Sequence, residues 1–212
     1  MSRFAAGKQQ VIDACLTLAN SGYLAGIGGN VALRLDDEHF AVTPSAADYY
    51  SMKAEDICVL RLDTKAVIEG ELKPSVESGL HAAMLLFHAG IAASVHTHQP
   101  LASAVALIDR GIPLKSGDPL GSEVALIPYA PSGTNLLVRA LSRRLKPGRL
   151  AYLLRNHGVI CGAGSLDDAI FAVSRIEAAS ARLLDELIDR QPALNPSLAA
   201  LIGAALKPGN VQ

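Results

Sequence analysis

The sequence predicts a mixed α/β fold, and three observations carry that prediction. Long windows show apolar residues at helical spacing, as at Phe4, Val11, Ile12, Cys15, Leu16 and Ala19. Between such windows lie short strand-like runs, several of them paired across polar turns. Helices and strands alternate without a strict β-α-β repeat. At 212 residues the chain is long enough to form one domain, 1–212, around a sizeable core.

The elements follow in order. The first helix is expected over Ser2 to Asn20, ended by Asn20-Ser21-Gly22. Val31 to Leu35 and His39 to Thr43 form one pair of strands around the Asp36-Asp37 turn, and Ile57 to Leu62 and Ala66 to Glu69 form a second. Ser75 opens a helix reaching about His88, with Glu77 in its first turn. Ile91 to His98 is an apolar strand, and Pro100 to Asp109 is a helix with proline at its start. Glu123 to Ile127 is strand-like and Thr134 to Leu145 helical. Leu150 to Leu154 and Val159 to Cys161 are strands flanking His157. Leu166 to Arg190 is a long helix with an apolar stripe at Ile170, Val173, Ile176, Leu183 and Leu187. The tail after Gln191, rich in Pro, Ala and Gly, is expected to be loosely attached.

Composition excludes several functions. Half the residues are hydrophobic, 18% are charged and the net charge is −1, which gives no electrostatic case for nucleic acid. Aromatics are 4% with no Trp, too few for base-stacking platforms. No membrane span and no signal peptide are expected. Cys15, Cys58 and Cys161 are dispersed and read as reduced core residues of a cytoplasmic protein, with zinc ligation a poor second reading.

The chemistry concentrates in histidines. A strand alternates its faces, so His96 and His98 of His96-Thr97-His98 share one face. Two imidazoles on a buried face need partners. With His157 of Asn156-His157-Gly158 they make a three-nitrogen set with open positions, the pattern of a catalytic zinc site. A lone histidine is more often merely packed, and His39 and His88 are expected to face solvent. Glu77 reads either as a favourable acidic residue at a helix start or as a general base beside the metal. His81, four residues on, shares its helix face and either orients Glu77 or packs. Gly26-Ile27-Gly28-Gly29-Asn30 is no dinucleotide motif, because it follows a helix and precedes a strand, but its backbone N–H groups suit an anion.

Taken in order, Gly29-Asn30, Thr43-Pro44-Ser45, Lys73-Pro74-Ser75-Val76-Glu77, His96-Thr97-His98, Pro128-Tyr129-Ala130 and Asn156-His157-Gly158 resemble the class II aldolase/adducin family, from the first helix to about Ala181. The resemblance implies a three-layer α/β/α arrangement around a mostly antiparallel sheet and a likeness to homotetrameric members. It implies Zn2+ held by His96, His98 and His157, with Glu77 as the acid/base. Gly29, Asn30, Thr43, Ser45 and Ser75 are the matching substrate-binding positions. The implied activity is a zinc-dependent lyase, first of all an aldolase, that cleaves a small hydroxy-carbonyl or sugar-phosphate compound through an enediolate. A dehydratase or decarboxylase using that intermediate is the alternative, and a non-catalytic adducin-like module the rival. Ala32, Ala46 and Val76 stand where sugar-phosphate members carry Ser, Gly and Ser, which predicts a weaker or different hold on phosphate, or a substrate without one.

Overall fold

The computed structural model describes residues 2–24, 26, 28–190 and 200. The tail expected to be loosely attached therefore lies outside the described residues, save Ala200. Helices α1 (Ala5–Asn20), α3 (Pro100–Val105) and α5 (Leu166–Asp189) lie on one face of a sheet, and α2 (Ser78–Phe87) and α4 (Asn135–Ser142) on the other. The strands are β1 (Asn30–Arg34), β2 (His39–Val42), β3 (Cys58–Arg61), β4 (Val67–Glu69), β5 (Ala93–Thr97), β6 (Ile112–Pro113), β7 (Glu123–Ile127), β8 (Ala151–Leu154) and β9 (Gly158–Ala163). They form one nine-stranded sheet in the order β4-β3-β2-β1-β5-β9-β8-β7-β6. Among the described residues only β7 and β8 pair in parallel, because α4 carries the chain between them as a crossover. The three-layer, mostly antiparallel expectation holds.

Strand alternation divides the core in two. Val31, Leu33, Val95 and Cys161 face α1, α3 and α5. Ala32, Phe40, Val42 and Ile160 face α2 and α4. Ser94 and His96 alternate with Ala93 and Val95, so they point to the α2 side.

Local chemistry fixes the ends. Ser165 Oγ accepts the Asp168 N–H at the start of α5, where Asp167 and Asp168 meet the positive end of the helix dipole. Pro100 opens α3, and Thr134 caps α4. The three cysteines are free and buried, and burial pushes their thiols up, Cys58 to about 11 and Cys161 to about 12, so they stay protonated.

Four expectations are corrected. His39 and His88 are both buried: His39 Nδ1 meets Asp36 Oδ1 at 2.8 Å, and His88 packs edge-on against Phe87. α3 stops at Val105, four residues early. Helix α2 starts at Ser78, which leaves Glu77 at its cap with φ −101° and ψ 8°.

Candidate active site

Three segments bring the histidines together. β5 carries His96 at its end and His98 just beyond it. β9 pairs with β5 in the register His96↔Ile160 and Thr97↔Val159, so the turn entering β9 sets His157 beside them. That turn passes through Asn156 at φ 57°, a left-handed conformation that Asn tolerates better than most residues. The three ring centroids lie 4.7–5.0 Å apart, and one ligand nitrogen from each falls within 4.8 Å of the others.

The rings are set for a cation. The Val159 carbonyl can only accept, so His96 Nδ1 donates to it at 2.7 Å. The neutral ring then presents a bare Nε2 to the cluster, 2.9 Å from His98 Nε2. Burial pushes all three imidazoles down, His96 to about 3 against the opposing pull of Glu77, so they are neutral near pH 7. His157 Nδ1 is buried with no hydrogen-bond partner. Three neutral, converging imidazoles beside a carboxylate are the donor set of a divalent metal with open positions, and the residues fit that group.

Glu77 is that carboxylate. Its Oε2 lies 3.2 Å from His96 Nε2, and its Oε1 lies 3.3 Å from His157 Nε2. Oε2 accepts from Asn30 Nδ2 at 2.9 Å, and Oε1 accepts from Ser132 Oγ at 2.9 Å. Burial alone would raise its pKa, but His96, the Asn30 amide, His157 and the Ser132 hydroxyl outweigh it and bring Glu77 down to about 2. Glu77 is an ionised carboxylate at neutral pH. Ser132 was missed from sequence: it lies in the Pro131-Ser132-Gly133 turn, just past Pro128-Tyr129-Ala130, and a serine in a turn carries no mark of what it touches.

The expected substrate-binding residues divide. The Thr43-Pro44-Ser45 and Lys73-Pro74-Ser75 turns lie side by side, joined through Ser45 N–H to Lys73 O at 2.8 Å and Ser75 N–H to Thr43 O at 3.1 Å. Ser45 Oγ donates to Pro74 O. Thr43 is buried, and its Oγ1 accepts the Val31 N–H. Ser75 Oγ accepts the Glu77 N–H at 3.2 Å and so shapes the turn that presents the base. The Asn30 side chain is spent inside the protein, on Glu77 and His81. Gly29 has φ 91°, and a Cβ there would lie 2.7 Å from His96 O, so it lets β1 close on β5. Of the three departures from the sugar-phosphate pattern, Ala46 keeps the left-handed backbone that suits glycine, at φ 56°. Val76 is exposed against Gly133. Ala32 is fully buried in the sheet, so it does not line an open pocket.

Gly158 is a packing requirement of the cluster. A Cβ there would lie 2.4 Å from Thr97 O and 2.8 Å from His98 Cδ2. Gly158→Ala is expected to cost ~1–3 kcal/mol of overpacking strain and to weaken metal binding, checked by thermal unfolding and metal analysis. Unchanged melting and metal content would show that the turn yields freely.

Comparison with known proteins points one way. The profile of the Class II Aldolase and Adducin N-terminal domain matches residues 9–184. The chain is 34% identical over 173 residues to the 5-deoxy-D-ribulose 1-phosphate aldolase of Bacillus thuringiensis serovar kurstaki, covering 80% of each. It is 30% identical over 179 residues to the 3-oxo-tetronate 4-phosphate decarboxylase of Haemophilus influenzae, covering 81% of this chain and 84% of that one. It superposes on a solved L-fuculose 1-phosphate aldolase with a TM-score of 0.80 at 27% identity, covering 97% of both chains.

Proposed function

Since the chain belongs to the class II aldolase and adducin family, whose enzymes are metal-dependent lyases, we propose that it cleaves a ketose 1-phosphate between C3 and C4. His96, His98 and His157 hold the metal, zinc in this reading, and Glu77 is the acid/base. The metal supplies polarisation of the substrate carbonyl.

The chain's own residues do the rest. Cleavage leaves the C3–C4 electron pair on C3 and turns the C4 hydroxyl into an aldehyde, its proton passing to the ionised Glu77 carboxylate. Glu77 returns a proton to C3. An ionised, buried carboxylate held by two donors is suited to that exchange, because it is aimed before substrate arrives. The paired Thr43–Ser45 and Lys73–Ser75 turns offer the polar surface for the phosphate end, with Ala46 and Val76 at its rim. The observation that carries the reading is the Glu77 carboxylate 3.2 and 3.3 Å from two of three converging imidazoles. A non-catalytic module has no need of that arrangement.

Similarity to a decarboxylase supports a second reading, loss of CO2 in place of an aldehyde, since the same electron pair is left on carbon. A cytoplasmic homotetramer is the assembly we propose. Exposed Leu107, Tyr129, Leu136 and Phe171 supply apolar surface for it, and no helix among the described residues is long and apolar enough to cross a membrane.

The test is metal analysis and light scattering of the purified protein, then turnover of 5-deoxy-D-ribulose 1-phosphate, L-fuculose 1-phosphate and their unphosphorylated forms. Expected are bound zinc, a tetramer and release of glycerone phosphate. A metal-free monomer inert towards every compound would overturn the reading.

A further inference from the structure

A chain of three buried hydrogen bonds ends on Glu77. Ser94 and His81 are fully buried, and Asn30 and Glu77 nearly so. Ser94 Oγ lies 2.8 Å from His81 Nδ1, and His81 Nε2 lies 2.6 Å from Asn30 Oδ1. Asn30 Nδ2 lies 2.9 Å from Glu77 Oε2. The chain joins β5, α2 and β1, so it ties the base to the strand that carries His96.

Its direction follows from what each group can do. An ionised carboxylate only accepts, so the Asn30 NH2 faces Glu77 and the Asn30 carbonyl faces His81. That carbonyl also only accepts, so His81 carries its proton on Nε2. A neutral ring then has a bare Nδ1, which accepts a hydrogen bond from the Ser94 hydroxyl. Burial holds the His81 pKa down to about 4, against the pull of Glu77, which keeps the ring neutral.

We propose that His81 and Ser94 are positioning residues for Glu77, acting through Asn30 to fix which carboxylate oxygen is held and how the carboxylate plane meets the histidines. Without a donor on Nε2, the buried Asn30 carbonyl loses its partner and the amide is held at its Glu77 end alone, and a half-satisfied buried chain costs more than an apolar one. Ser94 matters because its hydroxyl satisfies the bare Nδ1 and holds the ring in line with Asn30. This rests on Glu77 being the acid/base.

The first measurement needs no turnover. In the metal-loaded wild type with nitrogen-15-labelled imidazoles, His81 should show a protonated Nε2 and a bare Nδ1. Ser94→Ala should keep the proton on Nε2 but leave Nδ1 without a donor, read as a shift of the Nδ1 resonance. Kinetics with 5-deoxy-D-ribulose 1-phosphate then separate positioning from packing. His81→Gln, whose amide N–H reaches the place of Nε2, should stay within about threefold of wild-type kcat. His81→Asn, too short to reach Asn30, should lose ~10–100-fold in kcat with KM and bound metal unchanged. A proton on Nδ1 in the wild type overturns the proposal. So does wild-type kcat in both His81→Asn and Ser94→Ala, or a loss of kcat matched by loss of metal. Should the His81 variants fail to fold, the wild-type spectrum and Ser94→Ala decide. The spectrum stands apart from the acid/base reading, which Glu77→Gln tests.

Discussion

Glu77→Gln is expected to lower kcat by ~10²–10⁴-fold while fold and bound metal persist. The size follows from the role, because an amide can neither take up nor return a proton at neutral pH. Retention of fold follows from the surroundings. The Gln carbonyl can accept from Asn30 Nδ2 as Oε2 does now, and its NH2 can donate to Ser132, whose hydroxyl both gives and accepts. No buried donor is stranded, so the melting temperature should stay close to wild type. Steady-state kinetics beside thermal unfolding and metal analysis check this. Near-normal turnover on a verified substrate would remove Glu77 from the mechanism.

His98→Ala and His96→Ala should each strip the metal, with affinity falling by more than ~10²-fold and turnover lost along with it. The two differ in a way that separates ligation from folding. His98 lies beyond the end of β5 at the open side of the cluster, less enclosed than His96, so its loss leaves no core cavity. His96 is fully buried, and its removal also strands the Val159 carbonyl at the β5–β9 ladder. His98→Ala should therefore lose metal at near-normal stability, whereas His96→Ala loses metal and ~1–3 kcal/mol of stability. Metal quantitation with denaturant unfolding distinguishes them. A full metal complement in both variants would sink the ligand assignment.

The sequence by itself determined what local period and side-chain type encode. Alternation along Ala93–Thr97 separates Val95 from Ser94 and His96, and that is the division between the two halves of the core. Helical spacing located α1, α4 and α5 to within a few residues, Pro100 marked the start of α3, and Asn20-Ser21-Gly22 marked the end of α1. The ordered motifs located the residues that the structure brings together.

Tertiary structure decided what depends on contacts between distant segments. Glu77 and Asn30 are 47 positions apart, Glu77 and Ser132 are 55, and His96 and Val159 are 63. No periodicity records such pairings. A helix pattern placed Glu77 inside α2, but Ser75 Oγ takes its N–H and leaves it at the cap, turned toward β1. His39 and His88 are polar at positions that read as surface, yet packing buries both. Asn30 looked like part of an anion-binding turn. Its side chain instead serves Glu77 and His81, because sheet register sets it opposite His96 and under the start of α2. A side chain's type limits what it can do, but its neighbours across the fold decide what it does.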